Sequence, residues 1–103
     1  MQQRKSKIKG VDNMGSYKGW ITGRLGYNEE EERYGLLIDD LWEREGFRCG
    51  EGLQVMVNDQ WVSTRFEMGI GEGGLEWYLV DTPYRGKDIE YVQARIHCWI
   101  YED

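Results

Sequence analysis

Histidine, proline and cysteine are nearly missing from this chain. Its 103 residues hold one histidine, one proline and two cysteines. Cys49 and Cys98 have no partner at C-x-x-C spacing, which argues against a structural zinc site. His97 and Cys98 are adjacent, but neighbouring strand side chains point to opposite faces and do not readily chelate one ion. His97 could act as a general base only with a nucleophile or a water-orienting carboxylate beside it, and a sequence does not show which groups converge on it. No apolar run reaches the 18 residues of a membrane-spanning helix. The opening Met-Gln-Gln-Arg-Lys-Ser-Lys has no apolar segment behind it, so no signal peptide is read. The expectation is a cytoplasmic protein with no metal, cofactor or membrane contact, its two thiols reduced.

A basic surplus is lacking too. The net charge is −6, and Arg4, Lys5, Lys7 and Lys9 all fall in the first ten residues, which leaves about −10 on the remaining 93. Affinity for a nucleic-acid backbone comes from Lys and Arg neutralising phosphates, so direct DNA binding is not expected. An acidic body attracts basic protein surfaces instead, including grooves built to hold nucleic acid.

Aromatic residues and glycine are plentiful. Forty per cent of residues are hydrophobic and 14% aromatic, with five Trp, seven Tyr and 14 Gly. A chain of this length buries roughly 65% of its unfolded surface, enough for one modest core. Many turn-forming glycines beside many aromatics favour an all-β fold. Residues 1–15 read as a flexible basic tail and 16–103 as a single β domain.

The alternation of side chains predicts about six strands. In Tyr17–Tyr27, residues Tyr17, Ile21, Leu25 and Tyr27 share one face, and Lys18, Trp20, Thr22 and Arg24 take the other. Asn28–Glu32 is an acidic hairpin tip leading into Arg33–Asp39, with Tyr34, Leu36 and Ile38 aligned. Residues 40–46 fit either a loop or one short helical turn, with Asp39 or Asp40 as N-cap and Gly46 as its end. Leu53–Val57 and Gln60–Met68 form a hairpin about Asn58-Asp59, two residues that tolerate the positive φ of a type I′ turn. Val62, Thr64, Phe66 and Met68 are expected inward. Gly69–Gly74 reads as a flexible loop and not a phosphate cradle, since no Lys-Ser/Thr follows and Glu72 would face the phosphates. Leu75–Val80 and Tyr91–Tyr101 complete the set, the last with Val92, Ala94, Ile96, Cys98 and Ile100 inward. The expected fold is a small antiparallel barrel or sandwich, SH3-like in scale.

Two features carry functional expectation. Glu29, Glu30, Glu31 and Glu32, with Asp39, Asp40, Glu43 and Glu45, form a concentrated acidic surface suited to a Lys/Arg-rich groove; the same residues would equally serve as a solvated tip. Trp20, Trp61, Trp99 and Tyr101 fall on the face opposite the inward aliphatics, where they mark either an interface or a secondary core.

The stretch Arg33-Tyr34-Gly35-Leu36, Cys49-Gly50-Glu51-Gly52-Leu53-Gln54-Val55, Gln60-Trp61-Val62-Ser63-Thr64-Arg65-Phe66-Glu67 and Trp77-Tyr78-Leu79-Val80 resembles a family of small β domains from plasmids, prophages and conjugative elements of Firmicutes. Within it, the chain resembles type II-A anti-CRISPR proteins. The resemblance implies a non-enzymatic inhibitor that binds a type II CRISPR effector nuclease at its basic RNA-binding surface and blocks assembly with guide RNA. Such nucleases hold their heteroduplex in a positive channel. A general interaction module of a mobile element, and a small ribonuclease using His97 on guide RNA, stay open as alternatives. Oligomeric state is not legible.

Overall fold

The computed structural model describes residues 16–101 and the side-chain surroundings of 19–98. The predicted tail at 1–15 and the side chains of Trp99 and Tyr101 lie outside those residues. Among the described residues the strands are β1 (Ser16–Asn28), β2 (Arg33–Ile38), β3 (Leu41–Arg44), β4 (Gly52–Val57), β5 (Gln60–Gly71), β6 (Gly74–Leu79) and β7 (Gln93–Tyr101), with a 3-10 turn at Gly86–Ile89. They form one antiparallel sheet in the order β3-β2-β1-β7-β4-β5-β6. The all-β class is as expected. The sheet curls but does not close, since no strand pairing joins its two edges among the described residues.

β1 makes the curl. Its first part pairs with β7 from Ser16↔Tyr101 to Arg24↔Gln93, and its last part pairs with β2 from Arg24↔Leu37 to Asn28↔Arg33. The changeover falls at Arg24, and at the adjacent Gly23 an added Cβ would collide with the Leu37 carbonyl oxygen. Glycine is what lets the two backbones approach there.

Curling brings β2 against β5, although three strands separate them in the sheet. Tyr34 stacks on Phe66 at 6.2 Å, and Phe47 stacks on Phe66 at 5.0 Å. The connector between β3 and β4 plugs the opening. The Phe47 amide donates to the Tyr34 carbonyl, the Gly50 amide to the Phe66 carbonyl, and the Phe66 amide to the Glu51 carbonyl. Phe47, Phe66, Leu25, Leu36, Leu79, Ile89 and Val55 are essentially fully buried and define the core.

Three expectations are corrected. Residues 41–44 form edge strand β3, the seventh, and not a helical turn. Asp39 and Asp40 both adopt positive φ, 52° and 66°, and make the two-residue turn that pairs Ile38 with Leu41. An N-cap needs extended backbone, so this geometry excludes the helix start. Second, β5 runs on to Gly71, and only Glu72-Gly73 turns before Gly71↔Gly74 pairing resumes. The loop at 69–74 is therefore mostly ladder. Third, Met68 is exposed, because the β5–β6 ribbon outruns the core that covers Phe66. The Asn58-Asp59 turn has the expected positive φ values, 51° and 66°.

Candidate functional site

The acidic turn is built on a buried asparagine. Asn28 is 8% exposed. Its Oδ1 accepts from the amides of Glu30 at 3.0 Å and Glu31 at 3.4 Å, and its Nδ2 donates to the Glu45 carbonyl at 2.9 Å. The Glu32 amide donates to the Asn28 carbonyl, and Glu32 takes φ 57°. Asn suits both roles because its amide donates and accepts and its short side chain reaches its own local backbone. Glu29, Glu30, Glu31 and Glu32 all point to solvent from this braced turn, with exposed Glu45 beside it.

The acidic surface expected over 29–45 divides in two. Asp39 and Asp40 sit at the opposite end of β2, whose six residues span roughly 20 Å at about 3.4 Å per residue. Screening acts over about 8 Å at physiological ionic strength, so the two acidic ends behave separately. Glu43 is half-buried in β3, between the two.

The outward aromatics meet through a residue that sequence reasoning did not single out. The Arg95 guanidinium lies 4.1 Å from the Trp20 ring and 4.4 Å from the Trp61 ring. Its Nε donates to Gln54 Oε1 at 2.9 Å, and Gln54 Nε2 donates to Ser63 Oγ at 3.0 Å. His97 packs edge-on to Trp20 at 4.3 Å. The strand pattern put Arg95 on this face, but pairing it with Trp61 requires the long-range register of β7, β4 and β5. Trp61 is half-buried, and a cleft of about 480 Å³ opens beside Trp20, Gln54, Ser63 and His97. Cation–π contacts of this kind hold strands in register as readily as they bind ligands.

A third feature was missed altogether. On the β5–β6 ribbon, Met68 pairs with Trp77 and Ile70 with Leu75, all four on one face. Ile70 is 79% exposed, Leu75 74% and Met68 39%. Arg33 links this ribbon to the acidic turn: its guanidinium lies 5.7 Å over the Trp77 ring, its Nε donates to the Glu31 carbonyl and its Nη1 to the Phe47 carbonyl. The sequence signal was present in the alternation of Met68, Ile70 and Leu75, but alternation says nothing about where the covering core stops.

Other titratable groups are tied into the scaffold. Glu67 is held below the usual carboxylate range by the hydrogen bond from Arg65, then by that from the Cys49 thiol. Tyr34 is pushed up to about 12, first by burial and then by the Glu90 carboxylate; its hydroxyl donates to the Gly86 carbonyl at 3.0 Å. Among the described residues no three His, Cys, Asp or Glu side chains gather as they would around a metal ion. No helix of the described residues is long and apolar enough to cross a membrane.

The class these features define is a small open all-β domain, one antiparallel sheet that displays a braced acidic turn and an apolar ribbon. Residues 23–96 match the family described as a domain of unknown function, DUF5348, and the chain belongs to that family. No curated protein and no solved structure matches it.

Proposed function

We propose that this domain is a non-enzymatic inhibitor that acts in the bacterial cytoplasm, binds a type II CRISPR nuclease and blocks its assembly with guide RNA. The observation that carries this reading is the turn at Glu29–Glu32, whose backbone is braced by Asn28 and whose four side chains are exposed. Charge of one sign on a braced turn suits a basic groove, because the backbone that carries it need not be ordered on docking. The choice of partner follows from the resemblance noted in the sequence. The test mixes nuclease, guide RNA and the protein and follows assembly by gel shift. A falling nuclease–RNA band with the guide RNA recovered intact is the expected result. Unchanged assembly and DNA cleavage at excess protein would sink the reading, and shortened guide RNA would transfer it to a ribonuclease.

A second reading is a general interaction module whose contact is the outward tryptophan face. Trp20, 42% exposed, supports it. Recovery of a transfer or replication protein, and no nuclease, in a pull-down lost with Trp20→Ala would favour this reading.

A further inference from the structure

Arg33 joins the apolar ribbon to the acidic turn. Arg33 is hydrogen-bonded to the turn through the Glu31 carbonyl and lies over Trp77, whose cross-strand neighbour is Met68. From there the exposed apolar face continues to Ile70 and Leu75. We infer that the two form one composite docking surface for a basic amphipathic segment of a protein partner. Lysines and arginines of that segment meet Glu29–Glu32, and its apolar side chains cover Met68, Ile70 and Leu75. The inference rests on the reading that the acidic turn engages a basic protein.

Charge complementarity selects this occupant. Large apolar side chains exposed together on a monomer mark a contact surface. A second copy of the chain is a poor fit. An isologous contact sets the same patch against itself, which would bring two acidic turns together. A nucleic acid is repelled by the same carboxylates. A basic segment with one apolar face satisfies both halves at once.

The probe is a synthetic Leu/Lys peptide with its leucines on one helical face, alongside a scrambled peptide of the same composition. Binding is followed by amide chemical shifts of the full chain. The expected result is saturable binding of the amphipathic peptide, with shifts concentrated at 29–33 and 68–77. Ile70→Thr/Leu75→Thr leaves the core untouched and keeps strand propensity. It should weaken that binding by at least about tenfold, since two apolar contacts are lost. Equal affinity for the scrambled peptide, unchanged affinity in the double variant, shifts centred on the Trp20 cleft, concentration-dependent self-association through 68–77, or no binding would each overturn the inference. The assembly assay separates the two proposals. If the wild type blocks assembly and the double variant blocks it equally, the composite surface falls and the function stands. If the peptide binds at this surface and the nuclease is not inhibited, the function falls and the composite surface stands.

Discussion

The Asn28 carboxamide donates to the Glu45 carbonyl and accepts from the Glu30 and Glu31 amides, so one buried side chain ties the β1–β2 turn to the chain leaving β3. Asn28→Ala removes all three bonds and should lower stability by about 1–3 kcal/mol, the penalty of leaving buried polar groups unmet. Asn28→Asp keeps the acceptor but loses the donor and adds charge beside four glutamates, so it should not restore the loss. Urea denaturation measures the change. Faster hydrogen exchange at the Glu30 and Glu31 amides would locate it.

Phe47 closes the open side of the sheet. It is 1% exposed, stacks on Phe66, and carries the Arg44 guanidinium 4.7 Å from its ring. Phe47→Ala should destabilise by about 3–5 kcal/mol, a large share of the ~5–15 kcal/mol that holds a domain folded. Phe47→Leu retains more volume and should cost less. Thermal and chemical denaturation check both, and a near-neutral Phe47→Ala would mean that the opening is not part of the core.

Much of this was legible from periodicity alone. The two-residue repeat of a strand correctly put Ala94 and Ile96 in the core and His97 outside, because each strand face repeats every second residue. The Asn58-Asp59 turn was legible because both residues tolerate positive φ. Asp39-Asp40 carried the same signal, but the following Leu41, Trp42 and Glu45 also fit one helical turn, and local pattern could not decide between them. Two kinds of information were absent in principle. Closeness along the chain misled for the acidic residues, because β2 sets Asp39 and Asp40 at the opposite end of a strand from Glu32. Contacts across the sheet, such as Arg95 with Trp20 and Trp61, depend on register between distant segments. The exposure of Ile70 depends on how far the core reaches, which no face assignment contains.

Tyr34 gives a pH signature of the fold. Burial, then the Glu90 carboxylate, then Tyr27 and Asp88, push its hydroxyl up to about 12 from the ordinary value of 10.0. A raised folded-state value means that the native state holds this proton more tightly than the unfolded chain. Its contribution to stability is therefore complete below about pH 10 and is lost as pH rises from about 10 towards 12. Spectrophotometric titration of tyrosinate should show a late-titrating component from Tyr34. Tyr34→Phe should abolish that late component and flatten the alkaline loss of stability.

The Arg95 stack separates a scaffold role from a contact role. Arg95→Met keeps the length but removes the cation between Trp20 and Trp61 and the donor to Gln54. Each cation–π contact is worth ~0.5–2 kcal/mol, so a stability loss of that order is expected, with altered tryptophan fluorescence. Arg95→Lys should recover only part of it, because lysine lacks the planar guanidinium. If the acidic turn is the contact, nuclease assembly remains blocked by folded Arg95→Met. Loss of the block at full folding would move the interface to the tryptophan face.

The division of the acidic residues allows a test that holds net charge constant. Glu30→Gln/Glu31→Gln and Asp39→Asn/Asp40→Asn each remove two negative charges. The first pair leaves the backbone amides that bind Asn28 in place, and the second keeps a residue type that tolerates the positive φ of the β2–β3 turn. A partner attracted only by overall charge would respond equally to both. A partner seated on the braced turn responds to the first. Exposed ion pairs contribute ~0.2–1 kcal/mol each, so losing two should weaken inhibition roughly two- to thirty-fold, with little change for the second variant. The wild-type effect should also diminish as salt rises, because exposed pairs are screened. Half-inhibition concentrations in the assembly assay, measured across a salt series for the three proteins, decide between a local contact and a general electrostatic one.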